Sequence, residues 1–573
     1  MDKPHAHRPR RNRGGAPDLA AAPAQVPPAG ASPSHGGGDT PPEPDSVTTD
    51  DAVAPDSETP HNAEIELKLS IDPQDAQRLG RLPSIRQTSR GRARTQHLYS
   101  VYYDTAGFEL RRDRVALRLR RDGKRWIQTV KGAGQVHGGL HLREEIDTPV
   151  PAQILNHHAL AASKASTVFA DPALRAQLHP VFTTDFRRTL RNLELVPGTH
   201  VELCADSGQV TAGSGSLPIS EIEIELKSGQ PEALLAFARS LLDDLPLRLE
   251  PASKAQRGYA LALGAAPAPV KAQAPKLEAQ MTVTEAFQAV AFACLGHLQA
   301  NERGVLAGED HEYLHQGRVA LRRLRSACTV FSRAFPRPAL EDILAELRWL
   351  GGNLGPARDW DVFATETLPG VMAALPGDAG AHALLERTAE LRAAANTGAR
   401  DAVASTRYTK ALLSLIALFY RRPWEALGDE AAAGERARPL LEFAGAVLAR
   451  RHRKVVRAGR NLAALDATAL HALRIDIKKV RYAAEFFSSL YETEAVDAYV
   501  DALAQLQSLL GGLNDAATVE RLCEQMRPAP ERPDAALLEA IGLVRGWAMA
   551  VARTHLETLP AVWDAFRDAK KFW

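Results

Sequence analysis

Two hydrophobic periods divide the chain. Polar and apolar residues alternate in EIELKL from Glu64, VALRLRR from Val115, RWIQTVK from Arg125 and EIEIELK from Glu221. Alternation at period two predicts strands with one polar and one apolar face. After about residue 281 the chain is rich in Ala, Leu, Arg and Glu at helical spacing, with few strand-like runs. A β-rich domain followed by a helical one is expected.

Two low-complexity stretches frame these blocks. Residues 1 to about 60 hold twelve of the 37 prolines, with much Gly, Ala and Ser. Such a segment buries too little apolar surface to offset its ordering entropy, so residues 1–61 read as a disordered tail. The stretch GAAPAPVKAQAP from Gly264 reads as a linker over 264–280. The expected domains are therefore 62–263 and 281–567.

Composition narrows the class. The 573 residues carry a net charge of +1, with 45% hydrophobic and 24% charged residues. These are globular values, and the balance argues against a general nucleic-acid coat. No apolar run approaches the roughly 18 residues of a membrane span; the longest candidate, Leu412 to Tyr420, is half that. Lys3, Arg8, Arg10, Arg11 and Arg13 have no apolar stretch behind them, so no secretory signal or membrane association is expected. The four cysteines (Cys204, Cys294, Cys328, Cys523) include no CxxC pair, which fits a reducing cytoplasm rather than a disulfide or zinc framework.

The strands group their charges. Glu64, Glu66 and Lys68 share a face opposite Ile65, Leu67 and Leu69; Arg118 and Arg120 oppose Leu117 and Leu119; Thr129 and Lys131 share a face. Glu221, Glu223, Glu225 and Lys227 oppose Ile222, Ile224 and Leu226. A solvated sheet face explains any one strand. Like charges in a row repel unless opposite charge lies between them. A divalent cation answers the carboxylates and a polyanion answers the arginines, which together describe a metal–phosphate site.

Glu64-Ile65-Glu66-Leu67-Lys68 resembles the ExExK signature of the CYTH, or triphosphate tunnel, family. The ordered set YYDTAGFELRRDRVALRLRRDG, WIQTVKG, Arg143 with Glu145, FTTDFRR, VELCADSG, EIEIELKSG and SKAQRGYAL extends the resemblance over about 62–263. It implies an eight-stranded antiparallel barrel open as a polar tunnel. It further implies Glu64, Glu66, Glu223 and Glu225 as ligands of Mg2+ or Mn2+, and Lys68, Arg118, Arg120, Lys131, Arg188 and Lys254 as phosphate binders. Glu64, Glu66, Lys68, Arg118, Arg120 and Lys131 would form the catalytic set. Glu202 or Asp206 is a candidate to help hold a second metal.

The helical half repeats itself. HQGRVALRRLRSACTVF from His315 aligns with HALRIDIKKVRYAAEFF from His471, at an offset of 156. The same offset brings Leu354-Gly355-Pro356-Ala357-Arg358-Asp359 onto Leu510-Gly511-Gly512-Leu513-Asn514-Asp515. His315, Arg318, Arg322 and Arg325 thus correspond to His471, Arg474, Lys478 and Arg481. Spacing i, i+3, i+7, i+10 puts each set on one helical stripe. A solvated helix interleaves its charge signs, because like charges four apart destabilise it. A basic stripe kept in both copies therefore points to an anionic ligand. Leu321, Leu324 and Phe331, with Ile477, Val480 and Phe487, should face the core.

This arrangement resembles the CHAD family over about 281–567. The resemblance implies two four-helix bundles around a basic surface that binds inorganic polyphosphate, with the eight stripe residues as its ligands. No aromatic platform interleaves the stripe, which argues against single-stranded nucleic acid. The expected architecture is α+β and multidomain: an N-terminal eight-stranded antiparallel tunnel, then an all-α domain of two repeated helical bundles. The expected activity is metal-dependent hydrolysis of inorganic triphosphate in a cytoplasmic protein, with polyphosphate, granules included, as the helical domain's partner. A thiamine or nucleoside triphosphatase, an adenylate-cyclase-like enzyme and a non-catalytic polyphosphate scaffold are the alternatives.

Overall fold

A computed structural model describes residues 63–573, apart from 133, 138, 164–166, 265 and 374–378. The expected tail over 1–61 lies outside the described residues. The described residues fall into one compact unit.

Eight antiparallel strands form the barrel: β1 (Ala63–Ser70), β2 (Ser89–Asp104), β3 (Ala116–Asp122), β4 (Arg125–Lys131), β5 (Leu140–Val150), β6 (His179–Val196), β7 (Thr199–Ala212) and β8 (Gly215–Ser228). Their order is β1-β8-β7-β6-β2-β3-β4-β5, and β5 pairs back onto β1 through Glu66↔His141 and Leu67↔Leu140, which closes the ring. Two short strands lie outside it, Gln135–His137 on β5 and Arg248–Leu249 on β1.

The barrel is inside-out relative to a filled small barrel. Leu67, Leu69, Val201, Leu203, Ile222 and Ile224 face outward and are buried under Leu234, Leu235, Ala238, Leu241 and Leu242 of α1 (Pro231–Asp244). A second outer patch, Val101, Leu117, Leu119 and Val130, packs beneath Leu160 and Phe169. With its apolar faces covered outside, the barrel turns its charged faces into the lumen.

One end of the lumen is filled. Helix α2 (Lys254–Leu263) starts with a Ser253 cap and a reciprocal bond from Gln256, and packs over β6, β7 and β8. Its Tyr259 meets Phe182 edge-on at 5.0 Å, and Phe182 stacks on Tyr102 at 4.4 Å. Val210, Ala212 and Ile219 complete this apolar plug.

The helical region begins with α3 (Val283–Ala307), α4 (His311–Val330), α5 (Arg337–Val362), α6 (Ala379–Ala404) and α7 (Thr406–Arg421). It continues with α8 (Leu440–Ala458), α9 (Ala467–Phe486), α10 (Thr493–Met526) and α11 (Ala535–Asp568). Helices α3–α6 and α8–α11 form the two repeated bundles, and the stripe helices α4 and α9 are counterparts that touch. The expected core positions Leu321, Leu324, Phe331, Ile477, Val480 and Phe487 are all at most 3% exposed. Helix α11 is long and apolar enough to span a membrane by composition: its window reaches mean hydropathy 1.5 with 33% buried. This corrects the expectation from the sequence: single charges such as Glu539 and Arg545 interrupt the apolar residues, but the mean hydropathy of the helix stays high. Its Ala540, Val544 and Ala548 are buried, and the helix lies along α10.

Gly258 lets α2 approach the plug, since a Cβ there would collide with the Phe182 ring. Gly258→Ala should cost about 1–3 kcal/mol, the usual price of overpacking. Thermal unfolding would show this as a lowered Tm; an unchanged Tm would contradict the close packing.

Candidate functional site: two polyanion-sized basic cavities

The barrel lumen holds a cavity of about 380 Å3 lined by residues from all eight strands and the start of α2. Lys68, Arg118, Arg120, Lys131, Arg188, Lys254, Glu66, Glu223 and Glu225 all line it. The Glu64 side chain lies outside the described residues; its backbone pairs with Arg143 on β5.

At the plugged end the charges interlock. Lys68 Nζ lies 2.5 Å from both Glu66 and Glu223. Lys254 Nζ lies 2.8 Å from Glu223 and 2.7 Å from Asp206, and also bonds Glu221. Arg188 grips Asp206 through two bonds, 2.8 and 2.7 Å, and reaches Glu223. Arg257 pairs with the far oxygen of Glu221. Burial penalises the charges of Lys254 and Glu223, yet their partners outweigh it: Lys254 rises well above the ordinary lysine value and Glu223 falls well below the carboxylate range. The buried trio Asp206, Glu221 and Glu223 brings its oxygens close enough for a metal. The Lys254 ammonium sits at their convergence, so this cluster is already neutralised.

A different row of carboxylates is less compensated. Glu66 faces Glu225 across the β1–β8 pair, and Glu225 faces Glu202 across β8–β7, so three carboxylates lie side by side on adjacent strands. Burial, and then the neighbouring Glu223, push the Glu66 carboxyl above its ordinary value. Glu225 has the exposed Lys227 as partner, and Glu202 contacts the Cys204 thiol. These are hard oxygen donors at one edge of a phosphate-sized cavity, and they fit Mg2+ or Mn2+. Asp206 lies in the other trio, where its oxygens serve Arg188 and Lys254.

The opposite wall is basic. Arg118 bonds Glu145 at 3.0 Å, and Lys131 holds the same carboxylate at 2.5 Å. Burial opposes the charge on Glu145, but Lys131 and Arg118 prevail and hold it at about 2. Arg120 reaches Asp147 only at 3.4 Å, and Arg118 beside it lowers its pKa. The Nε atoms of Arg118 and Arg120 are buried without a hydrogen-bond partner among the described residues. Orphaned buried donors cost energy unless a ligand meets them.

The helical region holds the second cavity, about 420 Å3. His315, Arg318 and Arg322 from α4 meet Arg474 and Lys478 from α9 in its wall. Both copies of the second motif enter too, as Arg358 with Asp359 and Asn514 with Asp515. Three stripe residues stay out of this wall. Arg325 and His471 are exposed, and Arg481 bonds Glu485 at 2.8 Å. They lie at the ends of their stripes, and at the far end Arg323 of α4 also reaches Glu485 of α9 at 2.5 Å. Arg358 is the cation that repeat matching missed, because its counterpart is the neutral Asn514; its place in the LGPARD motif was the available signal. Asp359 is partnered by Arg521 at 2.6 Å, so the excess charge is positive. The Nε atoms of Arg322 and Arg474 are buried without partners among the described residues. Burial, then Arg358, lowers His315.

The fold and cavities define a class: a polar-lumen antiparallel barrel followed by a duplicated helical domain with a basic cavity. The CYTH domain family model matches residues 62–259 and the CHAD domain model residues 289–524. The chain thus carries a match to the CYTH domain followed by a match to the CHAD domain. It is 34% identical over 205 residues to an inorganic triphosphatase of Haemophilus influenzae, covering 35% of this chain and 54% of that one. The chain thus spans about half the length of that relative. An uncharacterized Mycobacterium tuberculosis protein is 27% identical over 462 residues, 75% of this chain and 82% of that one. The CHAD domain structure from Ricinus communis is 34% identical, with a TM-score of 0.46, covering 54% of this chain and 99% of that one.

Burial first, then Arg474 and Arg322, push Lys478 down to about 7. An unfolded lysine holds its proton to about pH 10.4. The penalty on folding is therefore full below about pH 7, where both states carry the proton, and fades as pH rises from about 7 towards about 10.4, where only the unfolded chain still holds it. Lysine side-chain NMR should show one resonance titrating near pH 7 that Lys478→Gln removes. A chain whose lysines all titrate near 10 would contradict this cavity's electrostatics.

Proposed function

We propose that the barrel is a metal-dependent inorganic triphosphatase, splitting tripolyphosphate into diphosphate and phosphate, and that the helical cavity binds inorganic polyphosphate. The supporting observation is the convergence, in one lumen, of Lys68, Arg118, Arg120, Lys131, Arg188 and Lys254 beside the row Glu66, Glu225 and Glu202. A phosphate chain is a run of negative oxygens without bases; it answers the basic wall, and a divalent cation between it and the carboxylate row answers the other.

Each residue then has a task. Arg118 and Arg120 offer buried guanidinium donors to phosphate oxygens, and Lys131 neutralises the same wall. Lys68, Arg188 and Lys254 hold the chain at the plugged end, where it exchanges some of their carboxylate contacts for phosphate ones. Glu66 and Glu225, with Glu64 on the same strand face, would hold a divalent cation, and Glu223 is the carboxylate shared between that cation and the two lysines. Bound there, Mg2+ or Mn2+ supplies charge neutralisation and a polarised water. The apolar plug excludes bulk water from one end, which strengthens every charge–phosphate contact.

In the helical cavity His315, Arg318, Arg322, Arg474 and Lys478, joined by Arg358, line the polyphosphate site, and Arg325, His471 and Arg481 extend the basic track beyond it. Such binding should weaken steeply with salt, as phosphate-backbone contacts do. The reducing cytoplasm suits both partners and the four unpaired cysteines.

The two sites should separate by mutation. Glu66→Gln should lower phosphate release from tripolyphosphate by at least about a hundredfold, the scale of losing one preorganised charge in a site, and leave polyphosphate affinity unchanged. Neutralising Arg318, Arg322, Arg474 and Lys478 together should do the reverse. Loss of both functions in either variant would overturn the division of labour.

A further inference from the structure

The helical domain touches the barrel next to two of its lumen lysines. On the barrel side lies Arg248-Leu249-Glu250. Leu249 and Arg248 pair with Leu69 and Ser70 of β1. The Glu250 N–H donates to the Lys68 carbonyl at 2.9 Å, while the Lys68 N–H donates to the Gly139 carbonyl at 2.9 Å. Lys68 is therefore held at both main-chain groups, one of them by Glu250. The Glu250 carboxylate also accepts the Ala252 N–H at 3.0 Å, which shapes the turn into Ser253 and Lys254. Glu250 is thus the joint between the two lysines, whose ammonium groups meet on Glu223 at 2.5 and 2.8 Å.

On the other side, consecutive residues of α3 face this joint. Glu302 pairs with Arg248, and Arg303 pairs with Glu250. The signs are reciprocal, minus-plus against plus-minus, so a slip of one position would oppose like charges. Glu302 is 7% exposed and Glu250 4%, so these carboxylates have left water and depend on their partners. The Arg303 side chain is 68% exposed, so the Arg248–Glu302 pair is the stronger of the two. The intervening chain is pinned as well. Val270 is bonded by Asn301 and His297 of α3, and Leu277 by Ser489. The barrel's last turn is thus fixed on a helix of the other domain.

We propose that Glu302 and Arg303 are positioning residues for the barrel site. Through Arg248 and Glu250 they set where Lys68 and Lys254 present their charges, so the helical domain completes the phosphate clamp of the tunnel. The inference rests on the tunnel being the tripolyphosphate site. It differs from a purely structural interface in what it moves: substrate affinity, not only stability.

Initial rates of phosphate release from tripolyphosphate with Mg2+, on the full chain, test it. Glu302→Ala should raise KM about tenfold, equal to about 1.4 kcal/mol of binding, with kcat within about twofold of the parent. Glu302→Gln, which keeps the shape, should raise KM less, and the charge-exchanged pair Glu302→Arg with Arg248→Glu should restore part of the loss. Circular dichroism identifies any variant that fails to fold; Glu302→Gln then carries the comparison. A folded variant that lowers Tm with an unchanged KM overturns the positioning role while leaving the tunnel reading intact. A parent chain that releases no phosphate removes the tunnel reading, and the proposal with it.

Discussion

The Lys254 ammonium, held among Asp206, Glu221 and Glu223, is the contact on which the barrel's design depends. A buried ion is tolerated only where opposite charge and hydrogen bonds replace its water. Here each ion is part of the other's solvation: Arg188 completes Asp206, Arg257 completes Glu221, and Lys68 shares Glu223. This lattice lets eight strands close around charge instead of around leucine. The apolar side chains then line the outside, and helices from both halves of the chain must cover them. The core that buries Leu67 and Ile224 is for that reason continuous with the one that buries Phe287 and Phe331.

The same economy separates settled charge from available charge. Lys254 and Arg188 are fully partnered, whereas Arg118, Arg120, Arg322 and Arg474 keep buried Nε atoms without partners among the described residues. A site that has desolvated its donors in advance needs no reorganisation when an anion arrives. Both cavities follow this rule on unrelated scaffolds, a closed sheet and a pair of crossed helices. One has a carboxylate row at its edge and the other has none of comparable density. That contrast separates a chemistry-bearing polyanion site from a binding one.

Much of this was legible in the sequence where a residue's role follows from its own strand or helix. Alternation placed Glu66 with Lys68, and Arg118 with Arg120, on one face each, and the 156-residue offset made Arg318 and Arg322 the counterparts of Arg474 and Lys478. Features made by distant segments were not legible. Nothing in SKAQRGYAL says that Gly258 admits a helix against Phe182, or that Lys254 is bonded to three carboxylates from two strands. The reach of each basic stripe was also hidden: crossing helices keep Arg322 and Lys478 in the cavity and leave Arg325 and His471 outside it. Helical period reports which residues share a stripe, not which part of the stripe a neighbouring helix encloses.

The central claim is that the lumen cleaves a phosphoanhydride using the Glu66 edge and the arginine wall together. Phosphate release from tripolyphosphate, ATP and thiamine triphosphate, each with Mg2+, with Mn2+ and with EDTA, tests it most directly. The account predicts rapid release from tripolyphosphate that EDTA abolishes, with slow release from the two organic triphosphates. Release chiefly from an organic triphosphate would reassign the substrate, and release undiminished by EDTA, or none from any of the three, would contradict the account.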